Sequence, residues 1–167
     1  NLTVESILTE NKLAGCTMVF TAEFCNMLAD EKRRPTEDLL RNRIHDVWLA
    51  SVAALTDGLI YDNRSFIKYR QHGNNVVGAF KEPLNKRIKQ KFKKLKNKKL
   101  RCGRSMLAGE LCERFPEYVS AHPLVQVCAS VKSRGGKKRV LKNGKELRKY
   151  SGENRLSFFI KVIMGWF

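Results

Sequence analysis

The sequence predicts a mixed α/β portion over residues 1–80 and a basic, all-helical portion over residues 81–167, and three observations carry that expectation. The first is a pair of short apolar or alternating runs, Cys16 to Phe20 and Phe66 to Arg70, of the length and period of half-buried strands. The second is the apolar-periodic run that follows Asp46, with Trp48, Leu49, Val52, Ala53 and Leu55 at helical spacing. The third is the change in charge. Residues 1–80 hold nine Lys and Arg against ten Asp and Glu, a balance of −1, and residues 81–167 hold twenty-four against six, a balance of +18, which together make the net +17. A chain of 167 residues with 43% hydrophobic side chains has enough apolar surface for a real core. The excess of cations implies an anionic partner: a phospholipid surface, a lipid-linked pyrophosphate or nucleic acid.

Residues 1–11 form a polar segment with scattered apolar positions. Gly15 with the run to Phe20 suggests a loop and then a strand. Thr21 is a candidate N-cap for a helix over residues 22–29, with Phe24, Met27 and Leu28 inward, and Pro35 closes that segment. Asp46 then precedes the apolar stripe and is expected at a helix N-terminus. Its carboxylate suits two roles there: an N-cap that accepts a backbone N–H, or a general base held within reach of an acceptor hydroxyl. Asp57-Gly58 ends the helix, and Leu59-Ile60-Tyr61 with Phe66 to Arg70 reads as an antiparallel pair at a sheet edge. Gln71 to Gly78 is a polar loop.

Beyond Pro83 the pattern is helical. Leu84, Ile88, Phe92, Leu95 and Leu100 recur among ten Lys and Arg between Lys86 and Arg101, a strongly basic amphipathic helix. Two further helices are expected, about 104–115 and 124–133, then a basic turn over 134–139 and an apolar helix from Asn154 to the C-terminus, suited to packing or to membrane contact. Five cysteines with no C-x-x-C pair argue against a disulfide framework or a zinc site and fit free thiols in a reducing cytosol. No apolar run approaches the roughly 18 residues a bilayer span needs. Asn1 in place of an initiator Met suggests a piece of a longer or processed chain.

Gly15-Cys16-Thr17-Met18-Val19-Phe20, His45-Asp46-Val47-Trp48-Leu49-Ala50 and Tyr69-Arg70-Gln71-His72-Gly73-Asn74-Asn75-Val76-Val77-Gly78, in that order, resemble the C-terminal half of the bacterial family-two glycosyltransferases of the GT-A, Rossmann-like fold, close to the rhamnosyltransferase-like members. The resemblance implies sugar transfer with inversion from a nucleotide-sugar donor to a saccharide or lipid-linked acceptor, in the synthesis of cell-surface polysaccharide. It makes Asp46 the general base and places Gly15, Cys16, Thr17, His45 and Trp48 near the sugars. It sets Arg70 and Gln71 by the diphosphate and makes His72 a ligand of a divalent cation, Mn²⁺ or Mg²⁺. His45 stands where many such enzymes carry Glu, and it either orients Asp46 or touches the acceptor.

The Asp-x-Asp motif of that family is absent here, so the chain alone is expected neither to bind donor nor to turn over. The Lys86–Arg101 helix suits attachment to the anionic inner face of the cell membrane from the cytoplasm, each basic residue contributing about 1 kcal/mol near such a surface. Nucleic acid is the weaker partner, because few aromatic side chains interleave with the lysines. A non-enzymatic basic module that binds membrane or nucleic acid is the alternative reading.

Overall fold

In the computed structural model, which describes residues 2–10, 13–65, 67–68 and 102–167, the regular structure is helical throughout, and no strand occurs among the described residues. The expected α/β, GT-A-like fold of the first half is therefore corrected to an all-helical one. The reason lies in the segments read as strands. Gly15–Thr17 closes as a 3-10 turn, with the Thr17 N–H donating to the Ala14 carbonyl at 2.9 Å. At Met18 the backbone becomes extended, but Val19 beyond it is 97% exposed and no ladder forms. Leu59-Ile60-Tyr61 has no regular structure, and Ile60 is 93% exposed. Apolar alternation shows that a segment suits one face of a sheet. A strand also needs a neighbour for its N–H and C=O groups, and neither segment has one among the described residues. Of the second expected strand, Ile67 and Lys68 carry no regular structure, and Phe66, Tyr69 and Arg70 lie outside the described residues, as does the expected Lys86–Arg101 helix.

The residues before the glycine turn are more ordered than their composition suggests. Thr3 and Ser6 cap each other's backbone N–H groups and open helix α1 (Val4–Thr9), which buries Val4, Ile7 and Leu8. Helix α2 (Ala22–Ala29) starts where expected, the Thr21 hydroxyl accepting from the Phe24 N–H at 3.2 Å, and Phe24, Met27 and Leu28 pack against the core. The long helix α3 (Glu37–Leu55) begins nine residues before Asp46. Thr36 caps it by accepting from the Leu39 N–H at 3.3 Å, with Glu37 and Asp38 in the favourable first turn. Asp46 is thus an interior residue of α3 and not its N-cap. The helix ends at the expected Asp57-Gly58, where Asp57 takes a positive φ of 52° and the Gly58 N–H returns to the Ala53 carbonyl.

The second half supplies α4 (Gly103–Arg114), α5 (Pro116–Val119), α6 (Pro123–Ala129), α7 (Gly136–Lys142), α8 (Gly144–Ser151) and α9 (Arg155–Ile163). Helix α4 agrees with the helix expected near 104–115, α6 with the 3-10 turn Ser130–Lys132 after it spans that expected near 124–133, and α9 lies within the expected C-terminal helix but ends at Ile163. Helices α5 and α8 have no individual counterpart among the expected helices, and the basic turn is shorter, because Lys137, Lys138 and Arg139 already belong to α7. Proline opens α5 and α6 at a position where its missing N–H costs nothing. At the start of α7, a Cβ on Gly136 would lie 1.7 Å from the Ser130 carbonyl oxygen, so only glycine fits.

Helix α4 lies at the centre, packed on α1, α3 and α6, with Leu107, Ala108 and Leu111 fully buried. Val47, Trp48, Val52 and Leu55 of α3 belong to the same core cluster as Phe115, Val125, Cys128, Val140 and Phe158. Residues from both sides of the charge boundary thus share one hydrophobic core, each large side chain stabilising it by about 1.5–3 kcal/mol.

Candidate functional site

Asp46 and Gly15 lie 31 residues apart in sequence, and the fold joins them. The Gly15 N–H donates to Asp46 Oδ2 at 2.9 Å, which fixes the direction of the carboxylate. A Cβ on Gly15 would lie 2.5 Å from Asp46 Oδ1 and 3.0 Å from its Cγ, so the turn approaches this closely only because residue 15 has no side chain. The other carboxylate oxygen, Oδ1, is shielded from solvent and receives no aligned hydrogen bond among the described residues. His45 Nε2 stands 2.6 Å from it, a charge contact when the imidazole is protonated. The Asp46 side chain is 15% exposed and that of His45 74%, so an exposed ring lies against a largely enclosed carboxylate.

Other expected site residues are placed differently. Cys16 is exposed at the crest of the turn, and the Thr17 hydroxyl donates to the Ala14 carbonyl at 2.7 Å, which bends the turn. Trp48, expected beside the sugars, is 3% exposed and packs on Phe115 with ring centroids 6.0 Å apart. Two residues along a helix amount to about 200° of rotation, so Asp46 at the turn and Trp48 in the core are geometrically consistent, and a shared sugar site is not. Arg70, Gln71 and His72 lie outside the described residues. Among the described residues no three His, Cys, Asp or Glu side chains gather as a metal site would require, and the expected cation ligand, His72, lies outside them.

A second feature, missed from sequence, is a cleft of about 640 Å³ between α7, α8 and α9, lined by Lys142, Lys145, Arg148 and Arg155 around Phe158 and Phe159. The signal was the spacing of Lys142, Lys145 and Arg148 three residues apart, which sets cations on one side of successive short helices. Nearby acids are already engaged. Glu153 accepts from Lys161 at 2.6 Å and from Arg104 at 3.2 Å, and Glu146 accepts from Lys149 at 2.7 Å. Deeper in the fold, burial and then the neighbouring Arg104 charge pull the Arg43 pKa down, while its guanidinium donates to the Leu8 carbonyl at 2.9 Å and ties α3 to α1.

Comparison of the chain with models of known protein families, with curated proteins and with solved structures finds no match.

Proposed function

We propose that this chain supplies the acceptor side of an inverting sugar transfer, with Asp46 as general base. The observation that supports the reading is the enclosed carboxylate: one oxygen is aimed by the Gly15 N–H, and the other meets the exposed His45 ring at 2.6 Å, a contact that an incoming hydroxyl can replace. Swinging the exposed His45 ring aside opens the approach.

In the reaction, the acceptor oxygen forms a bond to the anomeric carbon as the bond from that carbon to the nucleoside diphosphate breaks, its electron pair leaving with the phosphate. Asp46 Oδ1 takes the acceptor's proton, and attack from the face opposite the leaving group inverts the configuration. The reading rests on the Gly15–Asp46 juxtaposition and not on a fold class. It leaves the nucleotide-sugar donor to residues beyond those described, and keeps Arg70, Gln71 and His72, with the cation expected there, as its diphosphate side. A saccharide or lipid-linked acceptor and a cytoplasmic position at the inner membrane face belong to the same proposal.

The alternative, a non-enzymatic basic module, draws its support from the cationic cleft. The two separate in an assay of the native polypeptide from its source cells against a panel of nucleotide sugars and acceptors. Asp46→Asn is expected to lower kcat by about 10²–10⁴-fold with little change in acceptor KM. Gly15→Ala, which pushes into the same carboxylate, is expected to lower kcat as well. Transfer that survives Asp46→Asn undiminished, or a product of retained configuration, removes Asp46 as base and leaves the basic-module reading.

A further inference from the structure

We propose that α8 and α9 form a docking face for an anionic phospholipid surface, with lipid phosphates in the cleft and the outer stripe of α9 in the acyl boundary. Helix α9 is apolar on more than the side it packs. Phe158 and Val162 face the core, while Leu156, Phe159, Ile160 and Ile163 lie on the outside, from 44% to 69% exposed, with Met164 continuing the row. These outer positions follow the spacing of a single helix face. Leu156 and Phe159 also line the cleft, so the apolar stripe begins in the wall of the cationic site. At its other end the Lys137 ammonium donates to the Ile163 carbonyl at 2.6 Å and sets a cation beside the last apolar turn.

Charge decides what covers this face. Residues 132–161 hold eleven Lys and Arg against two acids, Glu146 and Glu153, both engaged by their own cations. Among the described residues, none of Lys142, Lys145, Arg148 and Arg155 pairs with a carboxylate. A second copy of the chain would set like charges against one another. A nucleic acid would satisfy the cations but leave the aliphatic row in water. An anionic lipid surface satisfies both, phosphate against the cleft and acyl chain against the stripe. A nine-residue helix is about 14 Å long, so α9 lies in such a surface and does not cross it. This face is built from residues other than Lys86–Arg101 and does not depend on the sugar-transfer reading.

The test is sedimentation with vesicles of phosphatidylcholine alone and with phosphatidylglycerol added at roughly one lipid in three, at physiological salt. The wild type is expected to sediment with the anionic vesicles only. The exposed triple substitution Lys142→Gln, Lys145→Gln, Arg155→Gln, and separately Phe159→Ser with Ile163→Ser, are each expected to weaken binding at least about tenfold, with thermal unfolding showing that both variants remain folded. A Phe159→Trp probe is expected to shift to the blue and to be quenched by brominated acyl chains. Equal binding to neutral vesicles, an unquenched probe, or binding that these variants leave intact while Lys89→Gln, Lys93→Gln, Lys96→Gln and Lys99→Gln together abolish it, would overturn the proposal. So would a probe buried by self-association without lipid, or tighter binding to single-stranded RNA than to the vesicles.

Discussion

Burial divides the five thiols into reactive and inert. Cys16 and Cys25 are exposed, whereas Cys128 is fully buried on α6, where desolvation pushes its thiol up to about 12 despite the opposing Arg104 charge. Cys112, half enclosed, is raised by the same cause. The thiolate is the nucleophile, so alkylation of the native protein at mildly basic pH is expected to modify Cys16 and Cys25 and to spare Cys128 until the chain unfolds. Peptide mass mapping of a time course reads this directly, and equal native rates at Cys16 and Cys128 would refute it. The same group gives a pH dependence. Its folded pKa lies above the ordinary 9.0, so above pH 9 the unfolded state binds fewer protons than the folded one. Its contribution is therefore complete below pH 9 and is lost as pH climbs toward 12, by at most about 1.4 kcal/mol per unit. Cys128→Ala is expected to flatten the fall of stability with pH over that window, even though the smaller side chain lowers the starting value.

At the scale of elements, the start of α3 shows how one side chain joins two helices. The Thr36 hydroxyl accepts from the Leu39 N–H and also bonds to Glu110 Oε1 of α4, while the Thr36 N–H donates to Glu110 Oε2 at 3.3 Å. Glu110 in turn accepts from Arg114 Nε at 2.7 Å. Thr36→Ala is expected to cost about 1–2 kcal/mol, seen as a lower urea midpoint with an unchanged slope, and Thr36→Ser to recover most of it. A Thr36→Ala protein as stable as the wild type would show that the cap is not what fixes the start of α3. Thr36 was legible in the sequence, as a capping residue followed by two acids, but Pro35 before it reads first as the end of α2, and the apolar stripe after Asp46 drew the helix start downstream. Thr21, a cap whose surroundings send no competing signal, places its helix correctly. The strands failed for a different reason: Val19 and Ile60 have the right residue type and period, but whether a partner strand exists is not a local property.

Over the whole molecule, what sequence conveys about a site depends on how far apart its parts lie. The Gly15 turn and the Asp46 helix are visible as separate motifs, yet their contact depends on how α3 packs, and the α8–α9 cleft arises only when three short helices fold together. Net charge is legible in full, and it carries a prediction that contacts alone would not give. The chain bears +17. Its more enclosed ion pairs, Arg104–Glu153 and Arg114–Glu110, with side chains 11–16% exposed, are weakly screened by salt, whereas repulsion among the exposed cations is strongly screened. Raising sodium chloride from low to physiological concentration is therefore expected to raise the melting temperature, by about 3–6 °C for a relief of roughly 1–2 kcal/mol. Exposed pairs such as Arg41–Glu37, 74% and 83% exposed, are too weak to reverse that sign. A melting temperature that falls with salt would mean that attraction between exposed charges outweighs repulsion in this fold. At equal ionic strength, a larger rise with phosphate than with chloride, lost in the Lys142→Gln, Lys145→Gln, Arg155→Gln protein, would separate occupancy of the cleft from general screening, because a bound anion stabilises in proportion to its affinity and screening does not.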